Sequence, residues 1–197
     1  MPPALLIIDV QNAIDDPSWG TDRNNRDAEA NMARLLEHWR ARTWPLFHIR
    51  HLSRDPRSTY RPGQPGCEFK PEVAPRPGER VIEKSTNSAF IGTSLEEELR
   101  AAGISEVVIT GVITNNSVEA TARMSGNLGF PTIVVSDATA TFGRPDYNGV
   151  WRTSEEVHAM SLANLEGEYA RILSTEGVLA RFGVSCIHEV NVEMASR

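Results

Sequence analysis

Apolar positions along this chain alternate between two rhythms. The run "ALLIID" (Ala4 to Asp9) is continuously apolar and closes on an acid, which predicts a strand buried on both faces of a parallel sheet. After the turn residues "DDPSWGTDRNN", a helix is predicted from about Asp27 to Arg42, with Ala28, Met32, Leu35, Leu36 and Trp39 on one face. "PLFHIRHL" (Pro45 to Leu52) is a second strand. From Ser53 to Glu79 the chain is rich in Pro, Gly and Arg. A loop of that length suits a lid or a pocket edge.

"RVIEK" (Arg80 to Lys84) predicts a third strand. Thr93-Ser94-Leu95-Glu96 has the spacing of a capping box opening a helix through about Ala102. "EVVITGV" is a fourth strand, a helix runs from about Asn116 to Leu128, and "PTIVVSDA" is a fifth strand. A second capping box, Thr153 to Glu156, opens a long helix on which Val157, Leu165, Tyr169 and Ile172 share a face. "TEGVLARF" adds a further helical turn, and "VSCIHEV" a sixth strand or a docked tail. Strands and helices alternate without repeats or linkers. The fold expected is α/β, a three-layer αβα sandwich, Rossmann-like, with a mostly parallel sheet of about six strands in a single domain. That domain spans residues 1–197.

The chain has 197 residues, 40% of them apolar, and a net charge of −6 without a long basic run. These values fit a globular domain and argue against a nucleic-acid partner. "MPPALLIIDV" lacks a charged leader, and its apolar run is too short for a signal peptide or a membrane span. Two cysteines, Cys67 and Cys186, form neither a disulfide framework nor a zinc set. The chain reads as soluble and cytoplasmic, with no membrane partner.

Open parallel sheets bind ligands beyond the carboxyl ends of their strands. Asp9 ends the first strand, Lys84 ends the third, and Ser117 follows the fourth. Each alone has an ordinary explanation: a turn acid, a solvated lysine, a helix cap. Together they have chemical potential. A carboxylate and an ammonium brought side by side shift each other's pKa, and the acid can then move a proton. Ser117 lies in the first turn of its helix, where backbone N–H groups would meet a developing oxyanion. A cysteine there would be activated, whereas a hydroxyl needs a base within reach.

Four stretches carry a resemblance to a known family: "LLIIDVQNA", "PGERVIEKSTNSAFIGTSLEEELRAAGI", "VVITGVITNNSVEATARMSGNLGFPTIVVSDATAT" and "EEVHAMSLANL". Over nearly its whole length the chain resembles the isochorismatase-like hydrolases, also called the cysteine hydrolases. This group includes nicotinamidases and N-carbamoylsarcosine, ureidoacrylate and biuret hydrolases. The resemblance places the family's acid on Asp9, its lysine on Lys84 and its nucleophilic cysteine on Ser117. It implies a cis peptide between Val112 and Ile113, with the Ile113 and Ser117 N–H groups as the oxyanion hole. It implies attack on a small amide or carbamoyl carbon, loss of ammonia or an amine, and hydrolysis of the acyl-enzyme, with no cofactor.

Serine at 117 departs from that pattern and implies little or no amidase turnover by this chain. Two alternatives stay open. One is an isochorismatase-type vinyl ether hydrolase using Asp9 alone, although those enzymes carry Ala-His where this chain has "TNNS". The other is an inactive relative that binds a small molecule or a partner protein. The resemblance also implies a homodimer or homotetramer, and the strand order 3-2-1-4-5-6, which obliges Lys84 to reach back over the second strand to Asp9.

Nicotinamidases of the family hold a metal near the second strand. Here His48 and His51 are three positions apart, which sends them to opposite faces of a strand. No metal is expected, and nicotinamide becomes a poor candidate substrate. Gln11, Phe90, Tyr60 and Trp151, with Trp19, are the candidates for substrate contact, and His51 for the pocket mouth. Arg50, Arg54, Arg57 and Arg61 face one acid, Asp55, across residues 50–61. They are either a solvated loop or a subunit contact, or one of them forks a substrate carboxylate. A Cys186–His188 pair has no accompanying acid or oxyanion feature.

Overall fold

The structure, a computed structural model, describes residues 2–183. The "VSCIHEV" segment and the Cys186–His188 pair lie outside the described residues. Six parallel strands form the central sheet in the order β3-β2-β1-β4-β5-β8. They are β1 (Ala4–Ile8), β2 (Leu46–His51), β3 (Arg80–Lys84), β4 (Val107–Val112), β5 (Thr132–Ala140) and β8 (Arg171–Leu173). A separate two-stranded hairpin pairs β6 (Arg144–Pro145) with β7 (Trp151–Arg152). The helices are α1 (Ala28–Ala41), α2 (Leu95–Ala101), α3 (Glu119–Asn127), α4 (Ser154–Leu165) and α5 (Thr175–Gly183).

The central strand explains the layers. Every residue of β1 is buried, because both sheet faces are covered. Ala4, Leu6 and Ile8 pack with Leu95 and Leu99 of α2, Ala122 of α3 and Leu165 of α4. Leu5 and Ile7 pack with Met32, Leu35, Leu36 and Trp39 of α1 and Val178 of α5. Each such leucine or isoleucine contributes about 1.5–3 kcal/mol on burial. The three-layer α/β expectation holds, as does the strand order.

Three elements differ from expectation. The sixth place in the sheet belongs to Arg171–Leu173, a stretch the hydrophobic spacing assigns to the end of a long helix. α4 stops at Leu165 instead, since Gly167 takes φ +80° and its N–H turns back to the Ala170 carbonyl at 3.0 Å. Tyr169 and Ile172 therefore lie beyond α4. The Thr93 capping box does not form either. Ser94 is the N-cap, the Thr93 hydroxyl donates to the Ala89 carbonyl at 2.5 Å, and Glu96 pairs with Arg100. At α4 the box is present: the Thr153 hydroxyl accepts from the Glu156 N–H at 3.2 Å, and the Glu156 carboxylate accepts from the Thr153 N–H at 2.8 Å.

Candidate active site

The site is assembled where β1, β3 and β4 end. Asp9 follows β1 in the left-handed region, φ 55°, a conformation that Asp tolerates better than most residues. Its N–H donates to the Ile49 carbonyl at 3.0 Å. On β4, Gly111 stands opposite Ile8 with φ +124°. A Cβ there would lie 2.2 Å from the Ile8 carbonyl oxygen, so only glycine permits this approach. The Val112–Ile113 peptide that follows is cis. Thr114–Val118 then form a π-helical turn, which sets Ser117 immediately before α3.

Lys84 closes the constellation. From the end of β3 its Nζ reaches past β2 and donates to Asp9 Oδ2 at 2.6 Å. It also donates to the Thr86 carbonyl at 3.0 Å and to Ser117 Oγ at 3.3 Å, and His51 Nδ1 lies 3.3 Å away. All three of Asp9, Lys84 and Ser117 are buried. Burial pushes the Asp9 carboxyl above its ordinary pKa of 3.8, opposed by the charge and hydrogen bond of Lys84 and by contact with Ser117. Asp9 Oδ1 has no hydrogen-bond partner among the described residues. A buried carboxylate oxygen without a partner keeps its capacity to accept a proton, and Lys84 Nζ joins this carboxylate to the Ser117 hydroxyl.

A cavity of about 140 Å³ opens over these atoms. Asp9, Ser117, Ile113, His51, Tyr60 and Trp19 line it, together with Ser58, Asn87, Val112 and Asn116. The 53–79 segment thus contributes Ser58 and Tyr60 to the wall. Burial holds the Tyr60 hydroxyl well above its ordinary pKa of 10.0, and its hydroxyl donates to the Asp9 carbonyl at 3.3 Å. Burial pushes the His51 pKa below its ordinary 6.5, which favours the neutral imidazole near Lys84.

Other sequence candidates sit elsewhere. Gln11 is fully buried, but its amide donates to the His51 and Cys67 carbonyls at 3.0 and 2.9 Å. Its oxygen accepts the His51 N–H at 2.7 Å. It fastens the end of β2 to the following loop and is not on the cavity wall. Phe90 stacks on Phe130 in the core layer, centroids 6.1 Å apart. Trp151 lies over Gly143 on β7 and is half exposed. Neither reaches the cavity. Asn87 and Asn116, which do, carry no distinguishing sequence signal beyond their place in strand-end loops. His48 bonds Glu79 at 2.9 Å on the far face of β2 from His51. Among the described residues no group of three or more His, Cys, Asp or Glu could hold a metal ion.

The arginines of 50–61 are also occupied or distant. Arg50 meets Glu83 at 3.4 Å and stacks on Phe69, Arg57 meets Asp55 at 3.3 Å, and Arg61 donates to the Pro56 carbonyl. None of them lines the cavity.

Comparison with known proteins decides the family. The Isochorismatase domain matches residues 3–177. The chain belongs to the isochorismatase family of hydrolases. It is 46% identical over 179 residues to the isochorismatase family protein YrdC of Bacillus subtilis, covering 91% of this chain and 95% of that one. The crystal structure of an isochorismatase-family hydrolase from Chromobacterium violaceum shares 60% identity at a TM-score of 0.89, covering 92% and 93% of the two chains. Further off, the ureidoacrylate amidohydrolase RutB of Methylobacterium radiotolerans is 26% identical over 214 residues, covering 91% of this chain and 79% of RutB. Among the described residues of this isochorismatase-family chain, no helix is long and apolar enough to cross a membrane.

Proposed function

We propose that this hydrolase scaffold acts on the C–N bond of a small amide or carbamoyl compound, with Asp9, Lys84 and Ser117 as its catalytic residues. The observation that carries this reading is the meeting of the three side chains beneath one small cavity, Lys84 Nζ touching both Asp9 Oδ2 and Ser117 Oγ. RutB, named for amide hydrolysis, is a distant relative that supports it.

The chemistry follows from the positions. The Asp9 carboxylate takes the Ser117 hydroxyl proton as Oγ bonds to the substrate carbonyl carbon. The carbonyl π electrons move to oxygen, and the Ile113 and Ser117 N–H groups receive that oxyanion. Asp9 returns the proton to nitrogen as the C–N bond breaks and ammonia or an amine leaves. Water then attacks the acyl-enzyme, giving a proton to Asp9, and the acid product departs with Ser117 restored. Lys84 holds Asp9 oriented and offsets its charge. A serine hydroxyl ionises far less readily than a thiol, so this chain turns over slowly.

The test is intact-mass spectrometry of Ser117→Cys quenched during turnover of a small amide. An acyl adduct mapped to residue 117 is expected; an active variant never acylated there contradicts the covalent route.

A second reading is favoured by the burial-raised Asp9, which suits protonation of a vinyl ether without a nucleophile. In that case the chain as it stands consumes isochorismate, and Ser117→Ala leaves the rate unchanged.

A further inference from the structure

The cavity over Ser117 is not isolated. A second, larger hollow of about 360 Å³ adjoins it and shares Trp19, Ile113 and Asn116 with its wall. Its far side holds Phe142 and Arg144. Trp19 and Phe142 stack with centroids 5.6 Å apart and ring planes 23° apart, and the Trp19 indole is fixed by its N–H bond to the Ala13 carbonyl at 2.9 Å. The pair forms a rigid flat wall leading from the reacting centre to Arg144.

Arg144 is placed at a cost. In the β6–β7 ladder it stands directly opposite Arg152, and like charges so paired repel. Arg152 is neutralised by Asp146 at 2.8 Å and approached by Glu156 at 3.9 Å. Among the described residues no carboxylate pairs with Arg144. Arg144 lines this hollow and also a neighbouring one that holds Glu119, Asp146 and Glu156, and with none of these in ion-pair reach its guanidinium is available to fork an oxyanion. The arginines of 50–61 do not compete for that role, since none lines either hollow.

We propose that the outer hollow is a substrate subsite, and that the substrate is a small amide with a carboxylate at its far end. A flat segment between the two lies along Trp19 and Phe142. Arg144 takes the carboxylate, while the amide carbon enters the inner cavity. This assignment rests on the proposed C–N hydrolase function only for what happens to the amide; recognition of the carboxylate stands apart from turnover.

The probes are 4-carbamoylbenzoate and its uncharged counterpart, benzene-1,4-dicarboxamide. Isothermal titration to the unaltered chain is expected to show the carboxylate binding about tenfold tighter than the diamide. Arg144→Gln should erase that difference while leaving the weaker diamide affinity in place. Trp19→Leu should weaken both probes alike. Equal affinities in the unaltered chain, no binding of either probe, or a preference that survives Arg144→Gln overturns the subsite. Turnover by Ser117→Cys is read separately. If the carboxylate preference is present but neither amide is hydrolysed, the subsite stands and the amidase reading falls.

Discussion

Lys84 Nζ lies 2.6 Å from Asp9 Oδ2 although β3, which carries the lysine, is separated from β1 by the whole width of β2. The pair is buried, and breaking such a pair by removing one member leaves an uncompensated charge. Lys84→Met is expected to cost about 3–5 kcal/mol at pH 7. The sign with pH follows from Asp9. Its folded pKa is raised by burial, so at low pH the carboxyl is neutral and needs no partner. Urea denaturation at pH 7 and pH 4 should show the deficit shrinking as pH falls; a deficit that grows contradicts the assignment.

Gly111 permits the approach of β4 to β1 that brings Ser117 to Asp9. Gly111→Ala sets a methyl 2.2 Å from the Ile8 carbonyl oxygen at φ +124°. Steric overlap and backbone strain together should destabilise by about 3 kcal/mol or more. Thermal melts check this. A shift no larger than that of an ordinary surface substitution would mean the strands are not so closely held.

Glu79 gives a stability test away from the site. Burial alone would raise its pKa, but hydrogen bonds from Arg40, the Arg76 N–H and His48 together lower it from 4.5 to about 2. A depressed carboxyl stabilises the fold above its unfolded pKa of 4.5 and loses that contribution as pH falls toward about 2. Glu79→Gln should therefore be less stable than the parent at pH 7 and closely matched to it near pH 2. Chemical denaturation across that interval reads the convergence.

The capping box at α4 predicts a smaller effect. Thr153→Ala removes the acceptor for the Glu156 N–H and should cost about 1 kcal/mol. Thr93→Ala, at the position whose sequence spacing is similar but whose box does not form, should not show a capping loss. Comparing the two melts tests whether geometry or spacing governs.

Much of this arrangement is legible in the sequence because hydrophobic rhythm reports burial directly. β1 to β5, α1 and the strand-end positions of Asp9, Lys84 and Ser117 follow from it. Elements set by a single backbone angle are less visible. Gly167 ends α4 and frees Arg171–Leu173 to join the sheet, against a spacing that continues the helix. The β6–β7 hairpin is short and exposed, so it carries no apolar alternation. The cavity wall is legible only in part: Tyr60, Trp19 and His51, candidates from the sequence, line it, but loop side chains have no periodicity to say which way they point, so Phe90 turns into the core while Asn87 turns toward the site.

The most direct test is ammonia or amine release from a panel of small amides by three proteins: the unaltered chain, Ser117→Cys, and Ser117→Cys combined with Asp9→Asn. A gain of about a hundredfold or more on thiol substitution, abolished when the carboxyl is removed, is the result expected. No gain for the thiol on any amide, or a gain indifferent to Asp9, would contradict catalysis by these three residues.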